Sequence, residues 1–395
     1  MKFSGLTIAI PREIMDHECR VAATPETVRK FTDQGATVLV ESGAGAGSHF
    51  SDDDYRGAGA AIIPDAETLF SRADIILKVK EPILDTAAHR HETSLLKEGQ
   101  ILVSFLHPAS PVNHDMVRAL AKRGVTALTL DGIPRITRAQ PMDALTSMST
   151  VAGYKGMVLA ASHLSRFIPM ITCAAGTIQP ASVLVVGAGV CGLQALATAK
   201  RLGAIAHACD IRRDAAEQAK SLGAKIVETG VPPEIATGDG GYAAHLSDEW
   251  LAKEREAITP AVIQSDIIVL SALVPGRIAP VLVTEEMVKS MKPGSVIVDI
   301  SIDQGGNCAL TDFGEISVKH GVTIIGIKNI PGSVPASSTW MFANNVYHFV
   351  SSFIDGGRVS LDRNDEIIAS SLVTIGGELV HRGAIEAMAL TGAKE

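Results

Sequence analysis

Aromatic residues are scarce in this sequence: they make up 4% of its 395 residues, although apolar residues as a whole reach 46%. The core must therefore be built mainly from alanine, valine, isoleucine and leucine. Those side chains are typical of parallel sheets that are covered by helices on both faces. Glycine and proline fall near ordinary globular usage, which excludes collagen-like and disordered classes. The length favours two or three domains.

Cysteine is also scarce, and long apolar runs are missing. The five cysteines are widely scattered without CxxC spacing, which is typical of free thiols in a reducing compartment. Pro11 and Arg12 break the apolar run at the N-terminus. No stretch reaches the ~18 apolar residues of a membrane span. We therefore expect a cytoplasmic protein without direct membrane insertion.

Basic clusters are a third absence. The formal net charge is −8, and no group of lysines and arginines alternates with aromatic residues. We therefore expect no nucleic-acid partner. His89 and His91 lie in a polar stretch without cysteine partners, and we expect no metal site there.

Short runs of β-branched and aliphatic residues alternate with helical patterns along most of the chain. A first set of candidate strands comprises residues 6–10, 37–41, 61–63, 75–79, 101–105 and 125–130. A second set comprises residues 182–186, 205–210, 225–227, 267–271, 295–300 and 322–327. Strands that alternate with helices form βαβ units and parallel sheets. We predict an α/β protein with two doubly wound, Rossmann-like parallel-sheet domains.

The segments outside these sets predict how the chain divides. The apolar stretch 143–167 is a candidate helix between the domains, and the helical pattern at 340–354 is expected to return to the first domain. Gly376 and Gly377 separate two apolar runs, as in a β-hairpin. We predict a discontinuous, substrate-like N-terminal domain and one NAD-binding Rossmann domain. Their predicted bounds are 1–142 with 340–395, and 143–339.

A glycine-rich turn follows the first strand of the second set. Gly187, Gly189 and Gly192 precede a helical segment that we place at 193–202. In this context the first glycine allows a tight turn, the second admits a pyrophosphate and the third allows close helix packing. The helix N-terminus offers unpaired N–H groups to the anion.

Asp210 ends the strand that follows this helix. Its carboxylate would accept hydrogen bonds from the ribose hydroxyls and repel a 2′-phosphate. We therefore predict NAD(H) rather than NADP(H) as the cofactor, although Arg212 and Arg213 follow at once and leave some ambiguity.

The connection 229–250 is unusually long, about 20 residues where βα connections take about 2 to 6. Gly238, Gly240 and Gly241 are candidate hinges that would place Tyr242 over the nucleotide as a lid. An insertion without function is the other interpretation, and the sequence leaves both open.

Several longer motifs make a family resemblance specific. They are PRITRAQPMDALTSM, AGYKG, GAGVCGLQALATAKRLGA, GGYA, SALVPGRIAP, MKPGSVIVD and GGNC. Together they closely resemble the NAD(H)-binding component of proton-translocating nicotinamide nucleotide transhydrogenases, over essentially the whole chain. In that family the soluble unit is a dimer that docks on an NADP(H)-binding component above a membrane proton channel. The resemblance therefore implies a homodimer with an NADP(H)-binding beta subunit and membrane subunits as partners, peripheral at the inner membrane.

The resemblance also implies site residues. Arg135, Gln140 and Asp143 are expected to hold the nicotinamide and its ribose. Hydride transfer between two nicotinamide rings needs positioning rather than a nucleophile or a proton donor. The residues expected to bind the cofactor are Arg135, Gln140, Asp143, Thr146, Gly187, Gly189, Val190, Gly192, Asp210, Arg212, Gly241, Tyr242, Leu273 and Asp303.

Other features resemble alanine dehydrogenase, which shares the fold. They are Arg20, Lys80, His107, Asp303 and the segment 329–339. Reduction of an imine or a 2-oxo acid needs a carboxylate clamp, a hydrogen-bond donor to the oxo group and an acid near neutral pH. Arg20, Lys80 and His107 would meet these needs in that order. The candidate catalytic residues are therefore Gln140, Arg135, Asp143, Lys80, His107 and Arg20.

Three functions follow from these observations. The favoured one is hydride exchange between NAD(H) on this chain and NADP(H) on a partner subunit, coupled to proton translocation. The alternative is a free-standing NAD-dependent dehydrogenase of the alanine dehydrogenase type that uses His107 and Lys80. A third, non-enzymatic function is regulation by NAD binding without turnover.

Overall fold

The computed structural model describes residues 1–238, 241–274 and 277–392. The chain divides into two compact units. The first unit contains Met1–Met148 and Gly332–Glu395, and the second contains Ser149–Pro331. Gly240, predicted as a hinge, lies outside the described residues.

The strands are numbered along the chain. They are β1 (Thr7–Ile10), β2 (Thr37–Glu41), β3 (Ala61–Ile63), β4 (Ile75–Leu77), β5 (Leu84–Asp85), β6 (Arg90–His91), β7 (Ile101–Ser104), β8 (Thr126–Thr129), β9 (Ile171–Cys173), β10 (Gly176–Ile178), β11 (Ser182–Val186), β12 (Ile205–Cys209), β13 (Lys225–Ile226), β14 (Ile267–Leu270), β15 (Val296–Asp299), β16 (Ile316–Lys319), β17 (Val322–Ile325), β18 (Ile354–Asp355), β19 (Arg358–Val359), β20 (Leu372–Ile375) and β21 (Glu378–Leu379).

The α-helices are numbered in the same way. They are α1 (Pro25–Asp33), α2 (Asp52–Gly57), α3 (Ala66–Arg72), α4 (His114–Lys122), α5 (Ala144–His163), α6 (Val190–Arg201), α7 (Arg213–Ser221), α8 (Pro233–Ala236), α9 (Asp248–Gln264), α10 (Glu285–Ser290), α11 (Pro335–Ser352), α12 (Glu366–Ser371) and α13 (Arg382–Gly392).

The first unit is built on a sheet with the strand order β21-β20-β8-β7-β4-β1-β2-β3. The strands from β8 to β3 run parallel to one another. Both β20 and β21 pair antiparallel at one edge. The segment near the C-terminus therefore extends a sheet that the N-terminal segment of the chain begins.

The turn between β20 and β21 is formed by Gly376 and Gly377. Both have positive φ angles, 58° and 87°, a conformation that a two-residue hairpin requires and that glycine adopts at little steric cost. Val373 on β20 is fully buried among residues of the parallel strands, and the hydroxyl of Thr374 donates to the carbonyl oxygen of Val125 at 2.7 Å. The predicted hairpin is thus part of the core of the first unit.

The second unit is built on a sheet with the strand order β13-β12-β11-β14-β15-β17-β16. All of its neighbouring strands are parallel except β16, which is an antiparallel edge strand. On β11, Val183 and Val185 pack into one apolar cluster, while Leu184 and Val186 pack into another. Because side chains alternate between the faces of a strand, both faces of this sheet are covered. The predicted α/β class with two Rossmann-like parallel sheets is confirmed.

Local signals explain where several helices begin. Thr24 caps α1: its hydroxyl accepts from the backbone N–H of Thr27, the Thr27 side chain returns the bond, and Pro25 is the first helical residue. One predicted boundary is wrong, because α6 begins at Val190 rather than at residue 193. Gly189 is its N-cap and offers no side-chain bond that would mark the start.

The five cysteines, all within the described residues, form no disulfide. No helix in the described residues has the length and apolar character needed to cross a membrane.

Candidate functional site

The second unit offers a nucleotide site at the carboxyl ends of its strands. In its sheet, β11 lies between β12 and β14, so the connections that leave β11 and β14 diverge at this point. Open α/β sheets bind ligands in the crevice at such a switch point. The turn at Gly187 and the loop that begins at Ser271 are therefore the first candidates for ligand contact.

The glycines of this turn have different surroundings. Gly187 has a positive φ of 90°, and a Cβ there would lie 2.8 Å from the backbone nitrogen of Ala272. A Cβ on Gly192 would lie 1.9 Å from the carbonyl oxygen of Gly187. At Gly189, by contrast, the nearest atom to a built Cβ is Nη2 of Arg212 at 3.9 Å. Gly187 and Gly192 thus close the turn, while Gly189 leaves open the approach to the first turn of α6.

The corrected start of α6 brings Val190 into the site. Val190 is the first helical residue, and the first N–H groups of a helix have no partner within it. Together with the helix dipole, these groups favour an anion at this end. The geometry suits the pyrophosphate of a dinucleotide.

Asp210 is buried beside the turn, with 4% of its side chain exposed. Its Oδ2 accepts from the backbone N–H of Ala188 at 2.8 Å and from Nη2 of Arg212 at 2.8 Å. Its Oδ1 accepts from the backbone N–H and from Nε of Arg212, at 2.8 and 3.0 Å. Asp210 therefore fixes the glycine-rich turn, and Arg212 balances some of its charge.

Arg212 also connects Asp210 to the long loop. Its Nη1 donates to the carbonyl oxygen of Gly241 at 3.2 Å. The hydrogen bond to Asp210 is the main cause that raises the pKa of Arg212 above its usual value. The cation is thus held between Asp210 and the residue that precedes Tyr242.

The described section of the long connection is folded rather than irregular. It contains α8, a bridge between Thr237 and Ala243, and a hydrogen bond from the N–H of Gly238 to the carbonyl oxygen of Tyr242 at 2.9 Å. A small buried apolar cluster lies within the same connection, and its members are Val231, Ala236 and Leu246, with Ile211 and Trp250 packed against them. The backbone bonds bring Tyr242 into a compact structure next to Arg212.

The loops after β14 and β15 contain two further predicted residues. Leu273 is 36% exposed, and it follows Ala272, the neighbour of Gly187. Asp303 is exposed in a 3-10 helix, Ile300–Gln304. Asn307 entered the sequence prediction only through the GGNC motif, yet it is fully buried and hydrogen-bonded to Ala272.

The first unit has its own cluster of polar side chains at the carboxyl edge of its sheet. Asp131, His107, Lys80 and Glu13 follow the ends of β8, β7, β4 and β1, which are neighbours in that order. The carboxyl ends of parallel strands meet at one edge, where α/β sheets bind ligands. The prediction that Lys80 and His107 lie just beyond strand ends is confirmed.

His107 and Asp131 form a hydrogen-bonded pair. Nδ1 of His107 lies 2.7 Å from Oδ1 of Asp131, and 42% of the histidine side chain is exposed. The other oxygen of Asp131 accepts from the N–H groups of Leu106 and His107, at 3.2 and 2.7 Å, and from the hydroxyl of Thr129. This arrangement fixes Nδ1 and directs the chemistry of the ring to Nε2.

Partial burial lowers the pKa of His107, but the charge of Asp131 and the hydrogen bond to it outweigh this effect. The net pKa of His107 is therefore raised above its usual 6.5. The imidazole is stacked on the ring of Phe105, with the centroids 5.8 Å apart. A histidine in this state can donate a proton near neutral pH.

Lys80 is positioned by a buried ionic network. Oε1 of Glu13 accepts from the N–H of Val79 at 2.6 Å, and Oε2 lies 3.4 Å from the N–H of Lys80. Lys78 is 1% exposed, and its Nζ lies 2.8 Å from Glu92 and 3.3 Å from Glu13. Burial raises the pKa of Glu13 to about 7, although Lys78 opposes this shift. This network was not predicted, and it fixes the backbone that carries Lys80.

Arg20 is buried and already paired. Its Nε and Nη2 lie 2.7 and 2.5 Å from the two carboxylate oxygens of Glu18, and 3% of the residue is exposed. Nη1 contacts the sulfur of Met148 at 3.0 Å. In this state much of the guanidinium is engaged within the protein rather than presented to a ligand.

The predicted nicotinamide loop forms a 3-10 helix, Thr137–Met142, before α5. Arg135 and Gln140 are exposed. Asp143 accepts from the N–H and the hydroxyl of Thr146, at 2.8 and 2.6 Å, which is the geometry of a helix cap. Asp143 and Thr146 thus orient each other at the start of α5, and Arg135 and Gln140 lie on the segment that precedes it.

The described residues contain no candidate metal centre. No group of three or more histidine, cysteine, aspartate or glutamate side chains suited to a metal ion occurs among residues 1–238, 241–274 and 277–392.

The doubly wound sheet, the glycine-rich turn at a helix N-terminus and the carboxylate of Asp210 together define a dinucleotide-binding protein of the Rossmann class. The sequence matches two family descriptions, "Alanine dehydrogenase/PNT, N-terminal domain" over residues 9–152 and "Alanine dehydrogenase/PNT, C-terminal domain" over residues 156–382. The chain belongs to this alanine dehydrogenase/PNT family and is an oxidoreductase.

Individual relatives refine this assignment. The chain is 43% identical to a chain of NAD(P) transhydrogenase subunit alpha from Rhodospirillum rubrum over 379 residues, 95% of this chain and 98% of the relative. It is 33% identical to alanine dehydrogenase of Halomonas elongata, over 98% of this chain and 97% of that protein. The crystal structure of transhydrogenase from Sinorhizobium meliloti matches with a TM-score of 0.83 and 38% identity, covering 95% of this chain and 100% of that one. The resemblance identified from the motifs is confirmed.

Proposed function

We propose that this chain is the NAD(H)-binding component of a proton-translocating transhydrogenase. It binds NAD(H) and exchanges a hydride with NADP(H) that a partner beta subunit holds, while membrane subunits couple the transfer to proton movement. The observation that carries this proposal is the near full-length similarity to the Rhodospirillum rubrum protein, 43% identical against 33% for the alanine dehydrogenase.

The chemistry asks for positioning. A hydride with its electron pair leaves C4 of the reduced nicotinamide and joins C4 of the oxidised one, so no protein group gains or loses a proton. Arg135, Gln140 and Asp143 would hold the nicotinamide and its ribose. The open position at Gly189 and the start of α6 would take the pyrophosphate, and Asp210 the adenosine ribose. Such positioning supplies most of the catalysis in a reaction of this kind.

The decisive experiment mixes the purified chain with an NADP(H)-binding component of a homologous transhydrogenase. Hydride transfer from NADPH to an NAD⁺ analogue with a distinct absorbance is followed. We expect transfer with both components and none with either alone. If a partner known to be competent gives no transfer, the proposal fails.

A substitution in the nicotinamide loop sharpens this test. Gln140→Ala should lower the transfer rate on the order of 100-fold, since misplacement of a reacting ring by about 1 Å has effects of that size. The affinity for NADH should change far less, because the pyrophosphate and ribose contacts remain. Gln218→Ala, at an exposed position of α7, is the matched control and should leave both quantities unchanged.

Assembly belongs to the same proposal. The chain would form a homodimer in the cytoplasm and attach to the inner membrane through its partner subunits. Sedimentation of the chain alone, and with the membrane subunits in vesicles, would show a dimer and its recruitment.

A second candidate function is NAD-dependent reduction of a small 2-oxo acid in the presence of ammonia, as in alanine dehydrogenase. The pair of His107 and Asp131, with Lys80 on the neighbouring strand end, favours it, because hydride transfer between nicotinamides needs no proton donor. Against it stands the engagement of Arg20 by Glu18, which leaves the expected carboxylate clamp internally paired.

NADH consumption with a panel of 2-oxo acids and ammonia tests this function directly. Turnover that disappears in His107→Asn would establish it. No turnover with any acid, together with transfer in the two-component assay, would leave the transhydrogenase function alone.

A further inference from the structure

Asn307 connects the loops that surround the glycine-rich turn. It lies in the GGNC motif and is fully buried. Its Nδ2 donates to the carbonyl oxygens of Ala272 and Pro280 at 2.9 and 2.8 Å. Its Oδ1 accepts from the N–H of Ala272 at 2.9 Å and from the hydroxyl of Ser301 at 2.7 Å. One side-chain amide thus holds Ala272 by both backbone groups and joins it to Pro280.

The backbone of Asn307 is itself fixed to the sheet. Its N–H donates to Oδ2 of Asp299, the last residue of β15, at 2.8 Å. Its carbonyl oxygen accepts from the N–H groups of Leu282 and Val283, at 2.8 and 3.0 Å. The amide therefore transmits the position of the end of β15 to the loop that follows β14.

That loop lies directly against the phosphate turn. The backbone nitrogen of Ala272 is 2.8 Å from where a Cβ of Gly187 would be, and the hydroxyl of Ser271 donates to the carbonyl oxygen of Gly187 at 2.9 Å. A shift of Ala272 toward the turn would therefore have to move Gly187 as well. The other side of the turn is held without Asn307, because Asp210 binds the N–H of Ala188.

The amide is chemically specific at this place. It satisfies two acceptors and two donors in a site that excludes water, and a buried polar group without its partners is costly. A serine lacks the second donor and the reach, and an aspartate would put a charge beside the buried carboxylate of Asp299. Shape alone would not require an amide.

We propose that Asn307 is a positioning residue of the nucleotide site, which sets the loop after β14 against the turn at Gly187 and so fixes the pocket for the pyrophosphate and nicotinamide half of the dinucleotide. This inference rests on the proposed function in one respect, that NAD(H) is the ligand of the second unit.

The test compares NADH with 5′-AMP as probes of the purified full chain. NADH is titrated by its fluorescence and AMP by calorimetry, well below the unfolding temperature. In Asn307→Ser we expect about tenfold weaker NADH binding, the size of effect that one or two lost hydrogen bonds produce. AMP binding should stay within about threefold, because the contacts of Asp210 do not pass through Asn307. A purely structural role would not separate the two ligands.

Controls keep the outcome decisive. Asn113→Ser removes a buried amide of the first unit, whose Nδ2 donates to the carbonyl oxygen of Leu106 at 3.1 Å; it should lower the melting temperature without changing NADH affinity. If Asn307→Ser does not fold, Ser301→Ala decides, because it frees one side of the amide and should weaken NADH binding by about two- to threefold with AMP unchanged.

The failures are distinguishable. A wild-type chain that does not bind NADH overturns the proposed function, and this inference falls with it. Wild-type binding with equal losses for NADH and AMP, or with no loss in a folded variant, overturns the inference alone.

Discussion

Gly189 and Gly192 stand three residues apart in one turn but serve different purposes. A Cβ on Gly192 would lie 1.9 Å from the carbonyl oxygen of Gly187, whereas one on Gly189 would meet only Nη2 of Arg212 at 3.9 Å. Gly192 is thus required by the protein itself, and Gly189 by a ligand that approaches the helix N-terminus.

Alanine substitutions should separate these purposes. Gly189→Ala should keep the melting temperature within about 2 °C, because ΔΔG at an unstrained surface site stays within about 0.5 kcal/mol, yet abolish measurable NADH binding. Gly192→Ala should lower the melting temperature as well, since the turn must open to admit the methyl group. Thermal unfolding and NADH titration of both variants check this; intact NADH binding in Gly189→Ala would contradict it.

The protonation of His107 is a second property set at the residue scale. Asp131 raises the pKa of the histidine against the effect of partial burial. Asp131→Asn removes the charge but keeps an acceptor for the N–H groups, so the pKa of His107 should fall below 6.5. The stability supplied by the wild-type pair is present at low pH and is lost as the pH rises through the raised pKa of His107.

NMR titration of the His107 ring protons measures this shift directly. The remaining histidine resonances provide the internal control and should keep their midpoints. An unchanged midpoint for His107 would show that Asp131 does not govern its charge.

At this scale the sequence predicted residue types better than their partners. His107, Lys80 and the three glycines were found because a motif or a strand end precedes each of them. Asp131 and Glu18 were missed, because their function depends on a neighbour brought close by folding, and each alone is an ordinary acidic residue. A carboxylate two residues beyond a strand end was the available signal for Asp131.

Helix α9 shows how an element can carry an electrostatic cost. Leu251, Glu254, Ile258 and Val262 have the spacing of one helix face, and Ile258 and Val262 pack in the apolar core of the second unit. Glu254 is 5% exposed on this face. Burial, then the negative charge of Asp210, raises its pKa to about 7, and Arg255 only partly opposes them.

Glu254→Gln should therefore stabilise the protein at high pH. The unfolded glutamate loses its proton near 4.5, while the folded one keeps it to about 7, so the wild type loses stability between these values. The loss approaches about 3 kcal/mol for a shift of this size. The variant should match the wild type below pH 4.5 and exceed it above pH 7.

Urea unfolding at several pH values measures this difference. Glu256→Gln, an exposed position on the same helix, is the control and should show no such dependence on pH. A constant difference between Glu254→Gln and wild type across the pH range would contradict the assignment.

Element positions were predicted closely where the sequence itself carries the cause. The parallel strands appear as buried β-branched runs, and α1 has Thr24 and Pro25 at its start. The start of α6 was misplaced because Gly189 caps it without a side chain that signals a boundary. The edge strand β16 was missed since its sequence, ISVK, alternates apolar and polar residues over only four positions.

At the scale of the whole molecule, the two units differ in how the chain builds them. Every residue of the two apolar clusters that cover the second sheet lies between Ala152 and Ile330. The core of the first unit instead recruits Val373, with Leu379 and Met388 packed against it. The Phe342 ring from α11 also packs on Phe105, with centroids 5.5 Å apart.

This difference predicts how fragments behave. Residues 149–331 should fold alone and unfold cooperatively, because a contiguous segment supplies both layers that cover their sheet. Residues 1–148 should not, since they lack β20 beside β8 and buried side chains such as Phe342 and Val373, each worth about 1.5–3 kcal/mol. A stability of about 5–15 kcal/mol does not survive several such losses.

Circular dichroism melting and the dispersion of amide resonances would check both fragments. Adding residues 332–395 to fragment 1–148, as a separate peptide or through a short linker, is the matched control and should restore cooperative unfolding because it returns β20, α11 and their side chains. A fragment 1–148 that is cooperative by itself would show that the C-terminal segment is an addition to the first unit rather than a component of its core.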